Sequence, residues 1–349
     1  MNMKKSITTL LLLAATMSLS AQSMGNTYFL PATAMKFHFL VEKTVYTPGE
    51  LATYAQRYMK KADVKQEPYT EYRIISTQME TIGVPDTTKQ FQLSNDRRFS
   101  ISEVQRSESG ILLAINTQHP APNTQSTPFT PVRKKRRLNS KDFMNEDILT
   151  AGSTAKMAEL TAQEIYDIRD SRNQLQRGQA ENMPKDGQQL RIMMDGLDTQ
   201  ERALMQAFEG ITDCDTTEVT IEFLPTQAVE RQLLFRFSRY FGFCDADDLA
   251  GAPYYVSVVD EGNAKPEEPK GKEKKQKDEL GLNVNVPGRI QVALYKEDKV
   301  LEKYNLYAAQ FGKTESLSPD LFGKKMTSKI ILNPTTGAIE SIKEEALDK

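Results

Sequence analysis

The sequence predicts an α+β fold in which mostly antiparallel β-sheet domains flank a long antiparallel helical hairpin. Apolar and polar residues alternate at 35–41 and again at 219–223, and a period of two is typical of half-buried strands. Between these stretches, from 155 to 211, apolar residues recur at helical spacing. A Pro/Gly segment at 183–187 interrupts that spacing, which divides the helical region into two helices.

The first 21 residues have the pattern of a secretory signal peptide. Lys4 and Lys5 precede an apolar run of about a dozen residues, and small residues follow at Ser18, Ser20 and Ala21. A membrane anchor is the alternative, but a spanning helix needs about 20 apolar residues. Because no cysteine follows the run, lipid attachment as in bacterial lipoproteins is not expected. We therefore expect cleavage near residue 21 and a periplasmic or secreted protein.

Charge argues against a nucleic-acid partner, and hydropathy argues against a transmembrane segment. The net charge of -2 becomes -4 when Lys4 and Lys5 leave with the signal peptide, so the chain has no general attraction for nucleic acid. No later stretch is long and apolar enough to predict a transmembrane segment.

Residues 22–116 are predicted to form an N-terminal β-rich domain with one short helix. Its first strand places Met35, Phe37, Phe39 and Val41 on one face and Lys36, His38 and Glu42 on the other. A turn at 47–50 leads into the helix at 50–60. Further strands are predicted at 72–81, 89–93 and 111–116, with a break between the first two at 83–86.

Residues 117–142 are predicted to be an exposed linker rich in Pro, Ser and Thr. Its basic block, 133–137, resembles a nuclear signal, which the secretory start contradicts. Contact with an anionic lipid head group or an acidic glycan is another interpretation. A solvated charge run is the interpretation we favour.

Residues 143–212 are predicted to form the helical hairpin. Thr161 and Glu164 fit a capping box, which places a helix start at Thr161. In the second helix Leu190, Leu197, Leu204 and Ile211 recur every seven residues. Two helices joined by a short turn fold back on each other, and we expect the apolar stripe to be core rather than a partner-binding surface.

Residues 213–349 are predicted to form a C-terminal β-rich domain. Strands are expected at 218–223, 233–237, 254–259 and 288–295, and near the turn at 333–337. The segment 260–281 is almost wholly charged, which predicts a disordered loop inserted between strands.

Three stretches of the chain resemble a known family. They are "YFLPATAMKFHFLVEKTVYTPGELATYAQRYM", "AGSTAKMAELTAQEIYDIRDSRNQLQRGQAENMPKDGQQL" and "LFRFSRYFGF". The chain resembles the family called domain of unknown function 4831, exported proteins of Gram-negative bacteria, across nearly all of its mature length. The two charged loops lie outside the resemblance. It implies export and a shared architecture, and it supplies neither an activity nor catalytic residues.

Few residues point to catalysis. His38 and His119 are the two histidines of the chain, so a His-rich metal site is excluded, and no HExxH, CxxC or P-loop motif is present. A Ser-His-Asp triad would have to use one of them without a G-x-S-x-G elbow. We favour a strand histidine over a catalytic base for His38, and the sequence assigns no catalytic residue and no cofactor.

Cys214 and Cys244 are the two cysteines, and export predicts a disulfide between them. If the strands that follow Cys214 and precede Cys244 are antiparallel neighbours, the two cysteines lie at the same end of the pair. The bridge would contribute about 3 to 4 kcal/mol by restricting the unfolded chain. Two free thiols are the alternative.

Five aspartates flank these cysteines, and a bridge would gather them near one point. Carboxylates suit Ca²⁺, but the spacing matches no EF-hand, so we favour turn residues and assign no metal. The candidate ligands are Asp213, Asp215, Asp245, Asp247 and Asp248.

The sequence therefore favours a non-enzymatic envelope protein, an interaction or structural module whose partner is an envelope protein or a glycan. We expect the helical hairpin or an exposed sheet edge to meet the partner. The alternative is a carboxylate-dependent hydrolase acting on glycan or peptide, which needs a cleft with two carboxyl groups about 5 to 10 Å apart. The absence of tryptophan weakens sugar binding, although Tyr240, Tyr254 and Tyr255 offer stacking surfaces.

Overall fold

The computed structural model describes residues 27–94, 96, 98–120, 129–130, 137–262 and 280–346. The predicted signal peptide, residues 133–136 of the basic block and most of the charged loop 260–281 lie outside the described residues. The described chain has an α+β fold with three antiparallel sheets and a helical hairpin, so the predicted fold class is confirmed.

The described chain contains twelve strands and four α-helices, together with short 3-10 turns. The strands are β1 (Thr27–Thr47), β2 (Tyr69–Gln92), β3 (Val104–Arg106), β4 (Leu112–Ile115), β5 (Ile211–Phe223), β6 (Val229–Ser238), β7 (Gly242–Cys244), β8 (Ala252–Asp260), β9 (Asn283–Lys296), β10 (Lys299–Ser316), β11 (Met326–Leu332) and β12 (Ile339–Ala346). The helices are α1 (Ala55–Met59), α2 (Glu146–Leu149), α3 (Thr154–Arg177) and α4 (Gly187–Glu209).

A β-sandwich forms the centre of the molecule. A three-stranded sheet, in the order β2-β1-β5, packs on a five-stranded sheet, in the order β10-β9-β8-β6-β7. The alternation predicted for β1 is confirmed, because its four apolar side chains are buried while Lys36 and His38 are only partly covered. The core between the sheets includes Met35, Phe37, Phe39, Val41, Phe235, Tyr254, Val256, Ile290, Val292 and Leu294.

A four-stranded sheet, in the order β12-β11-β4-β3, encloses a second core with the first residues of β1. Tyr28 and Leu30 of β1 pack there against Leu112 and Ile330. This sheet joins strands from both sides of the predicted linker. The three-stranded sheet also contains strands from both sides of the linker, because β5 pairs with β1.

The predicted pairing of the strands at 218–223 and 233–237 is wrong. The first of them, β5, pairs with β1, whereas β6 pairs with β7 and β8 in the other sheet. Two consecutive strands therefore lie in facing sheets. The sequence between them, 224–228, carries the chain across the sandwich instead of making a tight hairpin.

The break predicted at 83–86 does not end the strand, because β2 runs through it and 83–85 pair with 31–33 of β1. The irregularity lies slightly later, where the register passes from Pro31↔Pro85 to Phe29↔Gln90. Gly83 instead allows a close approach, since a Cβ there would lie 2.0 Å from the carbonyl oxygen of Pro334.

Helices α3 and α4 form the predicted antiparallel hairpin, but the predicted capping box is wrong. The helix begins earlier, and Ser153 caps it by accepting a hydrogen bond from the Lys156 amide. Thr161 is fully buried in the helix interior, where its hydroxyl donates to the Met157 carbonyl at 2.7 Å. The earlier cap prevails because the added turns bury Ala158 in the helical core.

That third core lies where the hairpin meets the segment after β1. Leu51, Ala55 and Met59 pack against Ile165 and Phe208, among other residues, so the short helix predicted at 50–60 is present as a 3-10 turn followed by α1. None of the helices in the described ranges has the length and apolarity needed to cross a membrane.

Candidate functional site

The predicted disulfide is not formed. Cys214 is an exposed free thiol on β5, opposite Thr44, and Cys244 is a half-buried free thiol on β7, opposite Arg236. The two sulfur atoms are not within disulfide distance. The physical reason is that β5 and β7 belong to facing sheets.

The five aspartates of the calcium hypothesis do not gather either. On β5, Asp213 pairs with Arg137 and Asp215 lies opposite Lys43. The other three, Asp245, Asp247 and Asp248, follow β7 in the other sheet. Within the part of the chain that the structure describes, no group of three or more His, Cys, Asp or Glu side chains is placed to hold a metal ion.

His38 lies on the outer face of the three-stranded sheet, between two glutamates. Its Nδ1 is 2.9 Å from an oxygen of Glu218 on β5, and its Nε2 is 3.1 Å from an oxygen of Glu80 on β2. The imidazole therefore links all three strands of the sheet. His119 is far from this cluster in the chain and contacts the carbonyl of Pro120 at 2.7 Å.

One open end of the sandwich contains a cleft of about 780 Å³, which we call the mouth cleft. It lies between the start of β2 and the β6–β8 side of the five-stranded sheet. Its lining combines aromatic and charged side chains with small ones. The residues are Glu42, Thr44, Glu71, Tyr72, Arg73, Ile74, Phe237, Ser238, Arg239, Tyr240, Ala250, Ala252, Tyr254 and Lys296.

The carboxylates of the mouth cleft are bound by arginines. Arg73 donates to Glu42 at 3.0 Å, and Arg239 donates to Glu71 at 2.7 Å. The hydrogen bond to Glu71 raises the pKa of Arg239 above its ordinary value. Burial raises the pKa of Tyr254 above its ordinary value.

A tight turn at the rim of the mouth cleft displays two aromatic side chains. Ser238 pairs with Gly242, and the three residues between them form the turn. Gly242 has a φ of 77°, the left-handed conformation that ends such three-residue hairpin loops. Tyr240 is 63% exposed and Phe241 is 68% exposed, and we call these two residues the aromatic tip.

The turn is held from the other sheet. The Tyr72 amide of β2 donates to the Arg239 carbonyl at 2.7 Å, next to the ion pair between Arg239 and Glu71. The Tyr72 ring also packs against Gly242, where a Cβ would lie 3.2 Å from a ring carbon. The backbone of the aromatic tip is therefore ordered while its side chains face solvent.

The next loop, residues 245–251, is also built around fixed contacts, and we call it the acidic loop. Arg236 donates to the carbonyls of Ala246 at 2.8 Å and Gly251 at 3.0 Å. The Asp248 carboxylate accepts from the Ala250 amide at 2.9 Å. Leu249 is held in this loop with 82% of its surface exposed.

A second groove lies between α3 and α4, and its acidic side chains Asp198 and Glu201 form ion pairs with arginines of the same groove. Its volume is about 650 Å³. Glu201 accepts from Arg169 at 2.6 Å and from Arg172 at 2.7 Å, and Arg172 also binds Asp198 at 2.9 Å. Hydrogen bonding to Asp198 raises the pKa of Arg172. These contacts hold the hairpin together. The mouth cleft is the better candidate site because two exposed aromatic side chains, Tyr240 and Phe241, lie at its rim.

Sequence reasoning identified Tyr240 and Tyr254 as stacking surfaces but missed the mouth cleft. The cleft forms between β2 and β6–β8, which are far apart in the chain. A local signal for the tip does exist, since two aromatic residues directly precede a glycine at the end of an alternating strand. In the structure both side chains of this pair are exposed.

The sandwich, the helical hairpin and the open mouth cleft define an α+β protein with one structured rim on its central β-sandwich. The chain belongs to the family described as Domain of unknown function (DUF4831), whose family model matches residues 24–340. The match includes the mouth cleft, the aromatic tip and the acidic loop, and it confirms the resemblance found in the sequence. No curated protein and no solved structure matched the chain.

Proposed function

We propose that this protein is a non-enzymatic exported envelope protein that acts as an interaction module, with the mouth cleft and aromatic tip as its binding surface. The observation that carries the proposal is the pair of exposed aromatic side chains on a turn that is fixed from both sheets. Leaving a large apolar side chain in water forgoes about 1.5 to 3 kcal/mol of burial. A partner that covers Tyr240 and Phe241 recovers this free energy.

The fixed turn also favours binding over chance exposure. A surface that is already ordered loses less conformational entropy when a partner binds. Aromatic residues are enriched at the centres of protein interfaces. The mouth cleft behind the tip adds polar groups that orient the partner.

Export is supported by the secretory start of the sequence and has its own test. The protein recovered from periplasm or medium should begin at Ala21 or Gln22, as determined by N-terminal sequencing. Recovery of the chain from cytosol with Met1 retained would refute export.

The binding surface is tested with envelope extract and the immobilised mature chain. The variant Tyr240→Ser/Phe241→Ser should lose the proteins or glycans that the wild type retains. The matched control is Ile192→Ser on α4, where an isoleucine is 65% exposed. Loss of retention in the control alone would place the partner on the helical hairpin instead.

A carboxylate-dependent hydrolase is the second candidate, because Glu42 and Glu71 line the same cleft. Both carboxylates are held by arginines, whereas a glycosidase pair must contact the leaving oxygen and the attacking water. We expect no products when the wild type is incubated with purified envelope glycan or peptide. Product release that is abolished in both Glu42→Gln and Glu71→Gln would establish the hydrolase.

A further inference from the structure

The acidic loop carries three carboxylates that form no ion pair with another side chain of the described chain. Asp245, Asp247 and Asp248 are exposed, and among the described residues no Lys, Arg or His forms an ion pair with them. The nearby cations have other partners, since Arg236 binds two carbonyls and Arg239 binds Glu71. Within the described part of the chain, the three carboxylates therefore face solvent, where cations of another molecule can reach them.

Apolar surface lies next to this charge. Leu249 is flanked directly by Asp248 and is the most exposed of the large apolar side chains in the described chain. Tyr240 and Ala250 line the same cleft, so the aromatic tip and the acidic loop form one rim. Each loop is fixed by backbone or arginine contacts, so this rim is a preformed surface of three apolar side chains beside three carboxylates.

We infer that the partner of this rim is a protein with an apolar pocket surrounded by Lys and Arg. The inference rests on the proposed function and specifies the partner's chemistry. Tyr240, Phe241 and Leu249 require apolar contact, and the three aspartates require cations. An anionic membrane surface is repelled by the carboxylates, and a neutral glycan offers neither a cation nor an apolar pocket for Leu249.

The charges should act mainly on association. Rim charges steer encounter and set the salt dependence of binding, while buried apolar anchors supply most of the affinity. We therefore expect removal of the three carboxylates to slow association by about tenfold at low salt. We expect raising the salt from about 0.05 to about 0.5 M to reduce the difference, because the Debye length shortens.

The test is photo-crosslinking in cells that produce the exported protein, with benzoylphenylalanine at position 241. An adduct with a second protein is expected, and mass spectrometry identifies that protein. The variant Asp245→Asn/Asp247→Asn/Asp248→Asn should lower the adduct yield about threefold, which is less than the effect at low salt because salt in the cell screens the charges. The control Asp63→Asn/Asp167→Asn/Asp195→Asn changes the net charge equally at exposed positions elsewhere and should leave the yield unchanged.

Each outcome bears on the inference. A protein adduct that is reduced in the acidic-loop variant and kept in the control supports it. An adduct of equal yield in both variants overturns the basic partner while the interaction module stands. An adduct with lipid or with a second copy of the chain also overturns it. No adduct at position 241 overturns both the inference and the proposed function.

Discussion

The surroundings of Cys244 make its thiol less acidic. Burial raises the pKa of its thiol, and the negative charges of Asp248 and Asp245 raise it further. The thiolate is the reactive form, so Cys244 becomes reactive only at higher pH than an unfolded-chain cysteine, whose pKa is about 8.5. Cys214 is exposed and accessible to reagents in the folded protein.

Alkylation of the protein therefore has a predictable order. In the folded state, iodoacetamide should label Cys214 first and Cys244 only as the pH rises. Asp248→Asn should move the labelling of Cys244 to lower pH, and mass spectrometry at a series of pH values measures the shift. Denatured protein without reductant should be labelled at both positions. Failure to label either one would restore the disulfide that the sequence predicts.

Asn285 is a buried polar residue with every hydrogen-bonding group used. Its amide nitrogen donates to the carbonyls of Pro31 and Thr336, both at 3.0 Å. Its oxygen accepts from Lys89 and Thr314, both at 3.3 Å. One side chain thus joins β1, β2, β9, β10 and the turn before β12.

Asn285→Leu should lower the free energy of unfolding by about 2 to 4 kcal/mol, because two carbonyls lose their partner in a dry environment. The control is Asn305→Leu, where an exposed side chain accepts a single bond from Gln291. That change should stay within about 0.5 kcal/mol. Urea denaturation measures both, and equal effects would contradict the role of Asn285.

At the scale of elements, the turn between β6 and β7 depends on a glycine for two separate reasons. Gly242 has a positive φ, and the Tyr72 ring packs directly against it. Gly178, which ends α3, has a φ of 70° with no atom within 4 Å of an added Cβ. A comparison of alanine substitutions at the two glycines therefore distinguishes the cost of backbone strain from the cost of side-chain crowding.

Gly178→Ala should lower stability by about 1 to 2 kcal/mol through backbone strain. Gly242→Ala should cost more, because the added methyl also displaces the Tyr72 ring. It should weaken partner retention as well, since the turn carries the aromatic tip. Thermal or urea unfolding of both variants tests this, and equal losses would show that the packing of the ring is unimportant.

The elements also show what local sequence determines. The strand β1 and the helical hairpin were predicted because their periodicity lies within one element. The start of α3 was missed because Ser153 and Thr161 both have capping chemistry, and burial of Ala158 decides between them. The pairing of β5 with β1 was missed because partner choice depends on residues more than 160 positions apart, such as Phe39 and Val219.

At the scale of the whole molecule, two of the three sheets combine strands from distant parts of the chain. Residues before the linker contribute β1 to β4, and residues after it contribute β5 to β12. The strand β1 pairs with β5 from Met35↔Phe223 to Thr47↔Ile211, and β4 pairs with β11. The mouth cleft is itself a product of this mixing, which is why the candidate site was only partly predictable from sequence.

This mixing predicts the behaviour of a protein cut in its linker. Limited trypsin should cleave first within 117–142 and 260–281, which the sequence predicts to be exposed and which contain many Lys and Arg residues. Cleavage in both segments leaves three fragments: one with β1 to β4, one with both long helices and β5 to β8, and one with β9 to β12. The three fragments should stay together, because separation would expose the apolar cores that they share.

Size-exclusion chromatography under native conditions should therefore give one peak at the volume of the intact chain. The same sample in strong denaturant should separate into its fragments, which provides the control for complete cleavage. Fragments that separate without denaturant would show that the segments before and after the linker fold as independent domains. Fragments that stay together would instead show that the pairings of β1 with β5 and of β4 with β11 hold the two sides of the linker in one folded unit.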